Sequence, residues 1–154
     1  VGGKDGMDEA SLGAATERLN GWVVDLSAAY AHGDALERDV PLDSVEPTRA
    51  VLGLRYEDAA ERFRLGLYTT AVAAKRRVDM TRPDPLRIDG FVAVDVTAGW
   101  TISDTWRVDA GVFNLGDASY YEWADVRGRP ASDPLLELYR RPGRNWRLAL
   151  TANW

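Results

Sequence analysis

Asn145-Trp146-Arg147-Leu148-Ala149-Leu150-Thr151-Ala152-Asn153-Trp154 is the last stretch of the sequence, and its reading decides the rest. A strand points alternate side chains to opposite faces. Trp146, Leu148, Leu150, Ala152 and Trp154 then share one face, all apolar, with a Trp at each end. Arg147, Ala149, Thr151 and Asn153 share the other, all small or polar. A helix would scatter these residues around its circumference.

The same alternation recurs upstream. Trp106, Val108, Ala110 and Val112 alternate with Arg107, Asp109, Gly111 and Phe113. Val92, Val94, Val96, Ala98 and Trp100 alternate with Ala93, Asp95, Thr97 and Gly99. The stretch Ile102-Ser103-Asp104-Thr105 joins these two strands as a hairpin turn. Phe63, Leu65 and Leu67 alternate with Arg62, Arg64, Gly66 and Tyr68. Ala50, Leu52, Leu54 and Tyr56 alternate with Arg49, Val51, Gly53 and Arg55. Val24, Leu26, Ala28 and Tyr30 alternate with Asp25, Ser27 and Ala29. A weaker strand spans Ala10 to Thr16, with Ala10, Leu12 and Ala14 on one face, before the turn pair Asn20-Gly21. The expectation is about seven antiparallel strands, most near the roughly 9 to 11 residues of a membrane-crossing strand.

The connections alternate too. Short turns lie near Leu19 to Gly21, Glu57 to Glu61 and Ile102 to Thr105. Long polar loops run from Gly33 to Pro47, Arg76 to Asp89 and Gly116 to Arg144. Short turns on one side and long loops on the other is the layout of an all-β, up-and-down outer-membrane barrel, with short periplasmic turns and long extracellular loops. Trp22, Tyr56, Trp100, Trp106 and Trp154 fall at the short-turn ends, where an aromatic girdle meets lipid headgroups. Trp146 marks the opposite interface. The other face carries Arg49, Arg55, Arg62, Arg64, Asp95, Arg107, Asp109 and Arg147. A soluble barrel would keep its apolar face inside; here charge lines the interior, which must be wet or plugged.

Composition narrows the classes. Hydrophobic residues are 45% and charged residues 28%, which by themselves allow a soluble globular protein. No stretch approaches the roughly 18 to 20 apolar residues of a transmembrane helix. There is no cysteine, so disulfides, thiol nucleophiles and cysteine-bound zinc are excluded. A net charge of −5 argues against a nucleic-acid partner, which calls for a basic face. The opening Val1-Gly2-Gly3-Lys4-Asp5-Gly6 has no apolar core of a signal peptide. A barrel must be exported, so the signal is expected upstream, and the chain is expected to begin mid-protein.

Particular residues resemble a known family. Pro41-Leu42-Asp43-Ser44-Val45-Glu46-Pro47 leads into Ala50-Val51-Leu52-Gly53-Leu54-Arg55-Tyr56. Ala110-Gly111-Val112-Phe113-Asn114-Leu115-Gly116-Asp117 is followed by Tyr120-Tyr121. Arg141-Pro142-Gly143-Arg144-Asn145-Trp146-Arg147 runs to the terminal Trp154. These stretches resemble the C-terminal barrel of TonB-dependent outer-membrane receptors, and Trp123-Ala124-Asp125-Val126-Arg127-Gly128 resembles the branch that takes up haem or haemoglobin iron. The resemblance implies a larger barrel around an N-terminal plug, of which residues 1–154 are the C-terminal part, about a third of the barrel. The plug, the earlier strands and the TonB box are expected outside this chain. It further implies an active transporter, not an enzyme, working in the bacterial outer membrane. Its partners would be membrane lipid, the TonB complex through the N-terminal region, the barrel-assembly machinery through the last strand, and a haem-carrying protein. No cofactor is expected on this chain; haem is the expected transported substrate of the whole receptor. A ferric siderophore is the alternative within the class. Outside it, a complete small barrel, either an outer-membrane enzyme or a soluble ligand-binding barrel, is the rival.

The candidate chemistry is sparse. The sole histidine, His32, stands at the outer end of a strand, either as a haem ligand or, the favoured reading, as a polar residue at a loop mouth. Metal sites normally need several convergent ligands, and none is expected. The loop from Gly116 to Arg144 concentrates aromatics and arginines, the types enriched at recognition surfaces. Tyr120, Tyr121, Trp123, Arg127, Arg140 and Arg144 are the candidate ligand-contacting set there, against the plainer reading that Tyr120 to Arg127 extend the hairpin above the membrane. Glu122, Asp125, Asp133 and Glu137 are read as solvated loop acids, and the inward arginines chiefly as ion-paired. No catalytic set is expected: no P-loop, dinucleotide fingerprint, nucleophile elbow or zincin motif occurs.

Overall fold

A computed structural model describes the backbone of residues 5–35 and 40–154, and side chains from residue 20 onward outside that gap. Its strands are β1 (Asp5–Leu19), β2 (Trp22–Ala35), β3 (Val40–Pro41), β4 (Arg49–Glu57), β5 (Phe63–Val72), β6 (Phe91–Thr101), β7 (Trp106–Phe113) and β8 (Asn145–Ala152). Seven of them form one antiparallel half-barrel in the order β1-β2-β4-β5-β6-β7-β8, with the two-residue β3 beside the outer end of β2. Every ladder neighbour on this path is also the next long strand in sequence, the up-and-down order expected. The strand read at Ala10 to Thr16 is longer, Asp5–Leu19, with a register shift between Leu12 and Ala15. The face assigned to Ala10, Leu12 and Ala14 lies outside the described side chains.

Register turns the alternation of single strands into continuous rows. Val24 faces Leu54, Leu54 faces Leu67, Leu67 faces Val96, Val96 faces Val112, and Val112 faces Trp146. One step towards the short turns, Trp22, Tyr56, Leu65, Ala98, Ala110 and Leu148 make a second apolar row. Side chains in these rows stay exposed: Leu65 at 40%, Leu67 at 41% and Leu148 at 78%. An apolar face left open over five ladders is not the core of a water-soluble domain. In a bilayer it meets acyl chains, while the ladders satisfy the backbone groups that lipid cannot.

The opposite face is crowded, as the concave side of a curved sheet must be, because its Cβ vectors converge. The strand glycines Gly53, Gly66, Gly99 and Gly111 are all buried there. A Cβ on Gly66 would stand 2.6 Å from Thr97 Oγ1 and 2.7 Å from the Tyr68 ring. A Cβ on Gly111 would stand 2.8 Å from the Phe113 ring. The Tyr68 and Phe113 side chains therefore occupy the space that the glycines leave.

The short turns are set locally. Asn20 and Gly21 both have positive φ, 48° and 85°, the backbone of a two-residue hairpin. In the next turn the Asp58 carboxylate accepts from the Phe63 amide at 2.6 Å. Arg62 directly precedes β5, and its carbonyl accepts from the Thr101 amide at 2.8 Å. In the third turn the Ser103 hydroxyl accepts from the Thr105 and Trp106 amides.

Candidate functional site

The three long connections do not stand as separate polar loops. They fold into one cap at the outer end of the sheet. Its core is Val78, Leu86 and Ile88 from the β5–β6 connection and Trp123 and Val126 from the β7–β8 connection, with Tyr121, Leu136 and Tyr139 packed around them. Val126 is 0% and Trp123 2% exposed. The β7–β8 connection holds a short helix α1 (Trp123–Val126) and a 3-10 turn, Leu136–Tyr139. Neither continues a hairpin, so the plainer expectation for Tyr120 to Arg127 is corrected. The apolar residues that build this core follow no strand or helix period in the sequence.

The third connection is bound in through polar contacts. Trp123 Nε1 donates to the Asp43 carbonyl at 2.7 Å, and Arg82 Nη1 to the Asp43 carboxylate at 2.7 Å. Arg82 Nη2 donates to the Gly128 carbonyl at 2.9 Å. The Lys75 ammonium, 6% exposed, donates to the Val45 carbonyl at 2.7 Å and lies 5.4 Å from the Trp123 ring centroid. Burial pushes its pKa down, while Asp43 and Glu46 oppose that shift. Lys75 and Trp123 thus each join loops that are far apart in sequence.

The candidate set in the last loop divides accordingly. Trp123 lies at the centre of the cap core, 2% exposed, packed with Val78, Leu86, Ile88 and Val126. Tyr120 stacks on Phe91, ring centroids 3.7 Å apart, and burial raises its pKa. The Tyr121 hydroxyl donates to Glu137 at 3.0 Å, and Arg140 clamps the same carboxylate at 2.7 Å. These two residues brace the 3-10 turn. Arg140 and Tyr121 together hold Glu137 below its ordinary range. Arg127 and Arg144 remain exposed, and neither makes an ion pair among the described residues. Leu135 and Leu138 stand out beside them in sequence, 53% and 78% exposed.

His32 is half-exposed and lies against polar neighbours. Arg77 Nη1 lies 2.6 Å from His32 Nε2, Asp34 lies 3.5 Å away, and the Arg77–Asp34 pair closes at 2.6 Å. This is the loop-mouth role favoured from sequence. The concave arginines also find acids: Arg55 pairs with Asp25 at 2.8 Å, and Arg64 and Arg107 share Asp109 at 3.1 and 2.8 Å. Arg49 reaches Glu122 in the cap at 3.2 Å. The girdle candidates Trp22, Tyr56, Trp100, Trp106 and Trp154 collect at the short-turn end; Trp22 and Tyr56 rings are 5.0 Å apart. Trp146 is exposed at the other end of β8. Among the described residues no cluster of His, Asp or Glu is built to hold a metal.

A one-sided sheet with lipid-facing apolar rows, a charged lumen face, tight turns below and a folded cap above defines an outer-membrane barrel wall. Comparison with known proteins places it further. The model of the TonB dependent receptor-like β-barrel family matches residues 9–115. The chain belongs to that family, whose members are transport receptors of the outer membrane of Gram-negative bacteria. Hemoglobin-haptoglobin-binding protein A of Haemophilus influenzae is 26% identical over 163 residues, covering 92% of this chain and 16% of that protein. Transferrin-binding protein A of Neisseria meningitidis serogroup B is 27% identical over 128 residues, covering 70% and 14%. Among solved structures, the copper transporter OprC superposes with a TM-score of 0.78 and 26% identity, over 97% of this chain and 24% of that one. A mutant of the ferric enterobactin receptor of Pseudomonas aeruginosa superposes with a TM-score of 0.70 at 19% identity, over 90% and 21%, and shares the fold. The chain thus spans 16% of the length of the first curated relatives it matches.

Proposed function

We propose that this chain is the C-terminal part of a receptor that carries haem or haemoglobin-derived iron across the outer membrane. The observation that carries the reading is the alignment of haemoglobin-binding relatives across the cap as well as the wall, over 90% or more of the chain. The cap supports it physically. A single small ligand needs a concave pocket with few polar groups. The described cap has only small cavities, of about 220 and 200 Å³, and presents a braced turn with exposed Leu135 and Leu138 and the exposed Arg127 and Arg144. Exposed apolar side chains and arginines are residue types that suit a protein surface. Haem itself is read as cargo, held by no residue named here. The plug, the TonB contact and the earlier strands belong to the remainder of the receptor, and β8 is read as the strand that the assembly machinery engages and that closes onto a first strand outside this chain. The test is growth of an iron-starved strain whose only haem receptor is the full-length protein. Growth on haem and on haemoglobin is expected. Growth on a ferric siderophore but on neither haem source would replace the reading with the siderophore one.

A further inference from the structure

Among the described residues, the connection between β3 and β4 gives no side chain to the cap core, yet the other two connections meet on it at Asp43. The Trp123 indole N–H, 80 residues away, donates to the Asp43 carbonyl at 2.7 Å. Trp123 is 2% exposed, so its N–H needs an acceptor within the protein. The Asp43 carboxylate accepts from Arg82 Nη1 at 2.7 Å and from the Asp79 amide at 3.3 Å, both in the β5–β6 connection. Arg82 Nη2 goes on to the Gly128 carbonyl at 2.9 Å. Gly128 lies just past α1, where a φ of 81° favours glycine. The start of α1 is thus tied to Asp43 directly, and the chain beyond its end through Arg82. Next to Gly128, Arg129 bonds Asp133 at 2.7 Å and the Tyr139 hydroxyl. A run of contacts therefore leads from Asp43 to the 3-10 turn Leu136–Tyr139, beside which Leu135 and Leu138 stand exposed.

We infer that Asp43 is a positioning residue for this outer turn: it sets the direction of α1 and, through Arg82, Gly128 and Arg129, the place of Leu135 and Leu138. Neither α1 nor the 3-10 turn holds a direction of its own, since each has four residues and a single turn is marginal without tertiary contacts. Apolar burial is non-directional. The cap core therefore fixes that Trp123 is buried, and the hydrogen bonds fix which way its helix points. The Arg82 bond is the strong member of the set, because donor and acceptor are both ionised and partly shielded from water. What Leu135 and Leu138 meet rests on the transport reading above, in which a haem-carrying protein docks there.

The test uses the full-length receptor in outer membranes, with Asp43→Ala, Arg82→Gln and both together. The first readout is amide protection by hydrogen exchange. Loss of the Asp43 carboxylate is expected to lower protection roughly tenfold, and alike, at Arg127, Leu138 and Arg140, with β6 unchanged. The double substitution is expected to fall well short of the product of the two single effects, because the two side chains form one link. The second readout separates position from stability. Haemoglobin binding by whole cells is expected to fall roughly tenfold in Asp43→Ala, with uptake of free haemin unchanged. A protection change confined to Asp79 and its neighbours, single effects that multiply, unchanged haemoglobin binding, or haemin uptake lost in step with it overturns the inference. Should Asp43→Ala fail to insert, Arg82→Gln carries the same outcomes; failure of both shows a folding role and overturns it as well. An unsubstituted receptor that neither binds haemoglobin nor takes up haemin sinks the transport reading instead, and the exchange result still decides the role of Asp43.

Discussion

At the residue scale the most consequential side chain is Trp123. Its indole fills the cap core and its Nε1 reaches across to Asp43, so one residue ties two loops far apart in sequence. Trp123→Ala is expected to cost about 3–5 kcal/mol, the range for emptying a buried large aromatic site. The loss should appear as rapid protease cleavage of the outer loops on intact cells, with the barrel still resisting detergent. Unchanged cleavage would mean that the loops are not one packed unit. Gly66 gives a second case. Gly66→Ala places a methyl 2.6 Å from Thr97 Oγ1 and 2.7 Å from the Tyr68 ring, so the ring must lift. A destabilisation of about 1–3 kcal/mol is expected for such overpacking, read by urea unfolding in lipid vesicles. Gly116→Ala, with nothing within 4 Å of the added carbon, is the control and should be near neutral.

At the element scale, β8 carries the sharpest contrast between neighbouring positions. Leu148 belongs to the lipid-facing row and Arg147 to the lumen row. Leu148→Arg is expected to cost about 2–4 kcal/mol, the range for arginine near the bilayer midplane, in vesicle refolding titrations. Ala149→Arg, one residue on and facing the lumen, should cost much less; equal costs would show the faces to be misassigned. The 3-10 turn of the cap adds a dependence on pH. Asp133 is held below its ordinary value of 3.8 by the Leu135 amide and by Arg129. Glu137 is held below 4.5 by Arg140 and then Tyr121. A carboxyl whose folded pKa is depressed stabilises the fold above its unfolded pKa and loses that contribution as pH falls through the folded value. The turn is therefore expected to loosen below about pH 4, seen as lower amide protection over Leu135 to Arg140, relative to the intrinsic exchange rate, than at pH 6. An exchange rate that follows only intrinsic chemistry would count against these contacts.

At the scale of the whole molecule, six tryptophans divide into three environments. Trp22, Trp100, Trp106 and Trp154 sit at the short-turn end, Trp146 near the cap end, and Trp123 inside the cap. Along β8, Trp146 and Trp154 are eight residues apart, roughly 27 Å at the rise of a strand. That separation matches an apolar band with a girdle at each edge. In single-tryptophan receptors, lipids brominated near the headgroup of one leaflet should quench the first group. Those of the other leaflet should quench Trp146, and neither should quench Trp123. Quenching of Trp123 as strong as that of Trp146 would place the cap in the membrane and overturn this arrangement.

The last strand, with which the sequence was opened, shows where legibility stops. Its alternation, repeated in β4 to β7, fixed faces, turns and the aromatic end, because a side chain's face in a strand depends only on parity and a tight turn only on a few local residues. The inward charges were legible as charges; that Arg64 and Arg107 converge on one Asp109 was not, since the partners come from different strands. The cap was least legible. Val78, Leu86, Ile88, Trp123 and Val126 follow no period, and the reason they are buried is that two connections meet above the sheet. The sequence by itself determined the wall and the side of it that faces lipid. Only the tertiary structure decided that the loops make one body, that Trp123 is its centre, and that Arg64 and Arg107 share the one carboxylate of Asp109. Those outcomes depend on contacts between distant segments, which no local pattern encodes.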